Sequence, residues 1–73
     1  MATSGMNELK RSLSIAGHRT SLSLEPEFWD ALKIAAVAER KSVAALVSEI
    51  DAGREGRNLS SAIRVWILRR MQG

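Results

Sequence analysis

The chain has 73 residues, with eleven Lys or Arg against eight Asp or Glu, a net charge of +3 and no cysteine. Disulfides are thereby excluded, and with His18 as the only histidine no Cys/His set for zinc can be assembled; no metal or other cofactor is expected. One core is barely sufficient at this length, so oligomerisation is the staple that remains.

The charge is segregated. Residues 1–24 carry Lys10, Arg11 and Arg19 against Glu8, and residues 53–73 carry Arg54, Arg57, Arg64, Arg69 and Arg70 against Glu55. Six acids lie between, in residues 25–52. Basic ends suit an anionic partner, although a solvated surface has the same composition. The start, "MATSGMNELKRS", has no apolar stretch of signal-peptide length, and no run approaches the roughly 20 residues that span a bilayer. A cytoplasmic protein without a membrane partner is expected.

Residues 1–9 show no periodicity and read as a flexible tail, leaving 10–73 as a single domain. "RSLSI", Arg11–Ile15, alternates polar and apolar; Ala16-Gly17 breaks the pattern, and "RTSLSL", Arg19–Leu24, resumes it. Period two places Thr20, Leu22 and Leu24 on one face of a strand and Arg19, Ser21 and Ser23 on the other.

Pro26 suits the first position of a helix, where its missing N–H is no loss, and Glu27 and Asp30 favour the dipole of the early turns. Phe28, Leu32, Ala35 and Ala36 recur at helical spacing with Trp29 beside them, until Lys41-Ser42 interrupts. Ser42 is a candidate N-cap for a second helix whose Val43, Leu46, Val47 and Ile50 form one stripe. "DAGREGRN" ends it. Asn58 or Ser60 can cap a third helix with a stripe of Leu59, Ala62, Ile63, Trp66 and Ile67. The fold class expected is mainly α: one N-terminal strand followed by three helices.

A single strand needs a partner for its backbone. "RSLSI" could fold back on it as a hairpin, but Ala-Gly is a poor two-residue turn, because a type I′ turn wants positive φ at both positions. The strand could instead meet its own copy, antiparallel about a two-fold axis, in a homodimer. Turn chemistry favours the copy. Residues 10–16 then either extend the ribbon or lie outside it.

At this point "RTSLSLEPEFWDALKIAAVAERKSVAALVSEI" resembles the ribbon-helix-helix domain, the MetJ/Arc class of DNA-binding repressors, over residues 19 to about 52. "RSLSIAGHRTSLSLEPEFWDAL" followed by "NLSSAIRVWIL" is similar to a bacterial subfamily of it, with the third helix as a C-terminal addition to the minimal fold. The resemblance implies a homodimeric ribbon in the major groove of double-stranded DNA, acting in transcription regulation. By position it makes Arg19, Ser21 and Ser23 the base contacts, and Lys41, Ser42 and Val43, at the second helix's N-terminus, the phosphate contacts. Leu22, Leu24, Phe28, Trp29, Leu32, Leu46, Val47 and Ile50 become the dimer core. Where the family usually carries a glycine between these helices, this chain has Lys41. In another register "NLSSAIRVWIL" would be the family's second helix and 42–52 an insertion.

Plainer readings stand beside these. Arg19, Ser21 and Ser23 could be the wet face of a half-buried strand, Trp29 and Trp66 are packing residues, and Ser60-Ser61 is capping chemistry because no base is available to activate a hydroxyl. An enzyme is not expected. The alternative function is a protein–protein adaptor or antitoxin-like module that docks its partner on the C-terminal helix and its arginines.

Overall fold

The computed structural model describes residues 8–73, so the tail expected over residues 1–9 falls mostly outside the described residues. Two strands, β1 (Leu9–Ile15) and β2 (His18–Leu24), pair antiparallel within one chain. This corrects the expectation of one strand whose neighbour is its copy: the first partner of β2 is β1. The objection to the Ala-Gly turn is met by strain. Ala16 takes φ 52° and Gly17 φ 82°, the paired positive values of a type I′ turn.

A non-glycine residue in the left-handed region costs roughly 1–2 kcal/mol. The hairpin offsets that through apolar burial on one face: Ile15, Leu22 and Leu24 are buried. Asparagine tolerates the left-handed region better than alanine, and Asn-Gly is the favoured type I′ pair. Ala16→Asn should therefore raise the thermal midpoint by about 4–8 °C, the shift that ~1 kcal/mol gives a domain of this size. A lower midpoint in a melting curve would show that the turn is not built this way.

The register places Leu9, Arg11, Leu13 and Ile15 of β1 across from Leu24, Leu22, Thr20 and His18. Directly opposed residues share a face, so these eight point toward the helices. Arg11 is the exception in polarity. Its guanidinium lies 5.1 Å from the ring centre of Trp29, where a cation meets the negative face of the indole. Trp29 in turn donates its Nε1–H to the carbonyl of Leu9 at 2.9 Å, which satisfies the buried ring's polar atom.

Helix α1 (Pro26–Ala38) starts at the proline, with Glu25 as an extended N-cap whose carbonyl accepts from Phe28 and Trp29 at 2.9 and 3.0 Å. It ends with Lys41 N–H donating to Ala36 and Arg40 N–H to Val37, while Arg40 holds φ 58°. That is the Schellman arrangement, in which the left-handed residue is ordinarily glycine. The glycine place that the family resemblance puts at Lys41 is thus taken one residue earlier, by Arg40.

Helix α2 (Val43–Ala52) is capped by Ser42, whose hydroxyl accepts from Ala45 N–H at 3.0 Å. Helix α3 (Leu59–Gln72) is capped by Asn58, which accepts from Ser61 N–H at 2.8 Å. Asn58, not Ser60, therefore does the capping. The loop between them turns at Glu55 and Gly56, both at positive φ, and Arg54 stitches it by reaching Asp51 at 2.8 Å and the Arg57 carbonyl at 3.1 Å.

The result is two layers, hairpin over helices, with one core between them. Leu22, Leu24, Leu32, Leu46, Val47 and Ile63 are the largest fully buried side chains. Alanines 35, 36 and 62 are buried among them, small enough for the helices to approach closely.

Candidate nucleic-acid interface

A two-residue turn closes on a hydrogen-bonded pair, here Ile15 with His18, and bonded and non-bonded pairs then alternate along the ladder. Arg19, Ser21 and Ser23 fall in non-bonded pairs, so their amides and carbonyls point away from β1 along an outer edge. Among the described residues, one of these groups has a partner: the Ser60 hydroxyl donates to the Ser23 carbonyl at 2.9 Å. The rest of the edge is open, with α3 tethered at its end.

The same parity puts six side chains on the face turned away from the helices. They are Arg19, Ser21 and Ser23 of β2, opposite Ser14, Ser12 and Lys10 of β1. Arg19 and Ser21 are exposed and Ser23 is half-buried. These six comprise two cations and four hydroxyls. Every member can donate a hydrogen bond, and the serines can also accept, which suits both base edges and phosphate oxygens. Lys10, Ser12 and Ser14 were not among the candidates from sequence. For Ser12 and Ser14 the signal was present in the alternation of "RSLSI", but it counts only once that segment, with Lys10 before it, is paired with β2.

The expected phosphate contacts are placed differently from one another. Ser42 spends its hydroxyl on Ala45, and the first amides of α2, at Val43 and Ala44, have no partner among the described residues. Two adjacent free amides at a helix N-terminus make a small anion site. Lys41, expected beside them, is instead paired with Glu49 one turn from the end of α2. Exposed Arg40 stands next to it with no ion pair among the described residues.

Of the residues expected in a dimer core, Leu22, Leu24, Trp29, Leu32, Leu46, Val47 and Ile50 are buried within the single chain. Their burial needs no second copy. Phe28 is half-buried, and it lines an apolar groove with Leu68 and Met71, which are 55% and 77% exposed. Arg64 lines that groove and also the cleft beside Ser21, Ser23 and Ser60, so the groove continues from the open edge of β2. Arg64 is held at 2.9 Å from Glu25. Backbone hydrogen bonding and that guanidinium keep the Glu25 carboxyl below its ordinary range.

A hairpin with one polar outer face, laid over three helices, is the architecture of a ribbon-helix-helix protein with the strand doubled. The chain belongs to this family: the model of the ribbon-helix-helix domain matches residues 9–71. The match takes in both strands and, to within one residue, all three helices. Proteins of the family generally bind DNA as transcription regulators. Searches of curated proteins and of solved structures found no match. Among the described residues no helix is long and apolar enough to cross a membrane.

Proposed function

We propose that the protein is a cytoplasmic homodimeric regulator, a repressor in the simplest case, that reads double-stranded DNA through the outer face of its hairpin. The observation that carries this reading is the outer face on which Arg19, Ser21 and Ser23 oppose Ser14, Ser12 and Lys10, with Glu8 at its end paired to Arg64, beside a strand edge with free backbone groups.

The second copy joins at that edge. Antiparallel pairing of β2 with its twin, centred on Ser21, makes a sheet in the order β1-β2-β2-β1. Strands lie about 4.8 Å apart, so the two β1 strands run roughly 7 Å from the axis. The major groove is about 12 Å wide. The central pair fits inside it and the outer strands fall at its lips, where Lys10 meets phosphates. Arg19 is placed to bond guanine O6 and N7, and Ser21 and Ser23 to bond bases less selectively. The free amides of Val43 and Ala44 take a backbone phosphate, with Ser42 shaping the turn. The same approach covers the groove of Phe28, Leu68 and Met71, which gives the dimer apolar area beyond the ladder.

Selection from randomised duplex DNA tests the base contact. Arg19→Ala should lose discrimination at one or two base positions, worth about 1–3 kcal/mol each, while retaining non-specific binding at low salt. An equal loss on every sequence would refute the base-reading role and leave Arg19 as a phosphate contact.

A further inference from the structure

We infer that the groove between α2 and α3 is a docking site for an acidic, apolar-tipped segment of a partner protein. Its cations are unevenly spent. Arg54 is committed to Asp51 and to the Arg57 carbonyl, and Glu49 on the rim is paired with Lys41. Arg57 and Arg69, which also line the groove, have no acidic partner among the described residues. Two uncompensated guanidinium groups therefore flank one concavity. Arg54 matters indirectly, because its two contacts hold the loop that presents Arg57.

The floor is apolar and aromatic. Ile50, Ala62 and half-buried Trp66 form it, and Arg70 stacks over the indole with its charge 5.6 Å from the ring centre while bonding Glu39 at 2.6 Å. The pair of Arg70 and Glu39 is neutral, so it clamps Trp66 without adding to the groove's charge. The cavity is about 230 Å³, below the range of about 300–1,000 Å³ typical of sites for whole small molecules. One aliphatic or aromatic side chain fits it, with carboxylates on either side for the two arginine forks.

Charge complementarity selects the occupant. Duplex DNA offers anions, but its base faces are stacked inside and its thymine methyls sit within the major groove, so it has no protruding apolar tip for the Trp66 floor. The groove also opens in the helical layer, whereas Arg19, Ser21 and Ser23 point away from that layer. Residues 1–7 of this chain contain no acid, so the protein's own N-terminal residues cannot supply the carboxylates. This site deepens the adaptor alternative drawn from sequence and is independent of the DNA reading.

The test titrates the full chain with a short synthetic peptide in which glutamates flank one leucine, with the all-glutamine version as its control. The indole N–H resonance of Trp66 reports occupancy. The glutamate peptide should shift it saturably, the control should not, and Arg57→Gln or Arg69→Gln should each weaken binding about tenfold, the size of one lost charge-assisted hydrogen bond. Both arginines are exposed, so the variants should keep the dispersed spectrum of the parent. Arg19→Ala should leave the peptide titration unchanged, which separates this site from the DNA surface. The inference is overturned by no saturable shift, or by peptide binding indifferent to both arginine variants. A Trp66 resonance that moves with duplex DNA, or with protein concentration alone, overturns it equally and assigns the groove to nucleic acid or to a second copy.

Discussion

Ser21→Pro should leave the monomer folded while removing both self-association and DNA binding. The amide of Ser21 points off the hairpin, in a non-bonded pair with Ser12, so proline there breaks no rung of the β1–β2 ladder. It does delete a donor at the centre of the edge where a second β2 would add, and its ring fills the space of the incoming strand. Sedimentation at micromolar concentration should show the mass of one chain for the variant and of two for the parent. Affinity for duplex DNA should fall by about a hundredfold or more, since one hairpin keeps at most half of the contacts. A dimeric variant with unchanged DNA binding would place the interface elsewhere. A parent protein that is monomeric yet binds a specific duplex would sink the two-fold arrangement altogether.

The other large effect falls on stability. Ile63→Ala should destabilise the domain by about 2–5 kcal/mol, from lost transfer free energy plus the cavity left behind. Ile63 is wholly buried and belongs to α3, the helix that closes the core beneath the hairpin. For a domain of this size the melting temperature should drop by at least about 8 °C. Leu68→Ala on the same helix is the control. Leu68 is 55% exposed, so its removal should move the melting temperature of the monomer little while weakening the dimer. Equal destabilisation by the two substitutions would mean that α3 is packed in another rotation.

Much of this arrangement is legible in the residues. Pro26, Ser42 and Asn58 mark the helix starts through local chemistry, and the stripes that follow them need only helical spacing to be read. Period two in "RTSLSL" separates Leu22 and Leu24 from Arg19, Ser21 and Ser23 without any knowledge of the fold. What was illegible depends on energies that outweigh a local preference. Ala16 is a poor left-handed residue, and turn chemistry alone argues against the hairpin; the burial of Ile15, Leu22 and Leu24 decides otherwise. Arg40 takes the left-handed place at the end of α1 for a similar reason, since two Schellman hydrogen bonds and the direction of α2 fix it. Contacts between distant residues carry no local signature at all. Nothing near Ser60 announces its bond to Ser23, 37 residues away, and nothing near Lys41 marks Glu49 as its partner. The candidate interface was therefore half visible: the β2 residues could be named, but the β1 residues beside them required the pairing.

The tether from Ser60 bears on how far a sheet can grow from the edge of β2. An exposed strand edge is an invitation to unlimited sheet growth. Here the edge of β2 is short, and one of its carbonyls already holds a hydroxyl. A twin centred on Ser21 can be accepted, and after it joins no free edge of β2 is left. The outermost strands of the four-stranded sheet are then the two β1 strands, where Lys10 and Arg11 supply edge charges that discourage further addition.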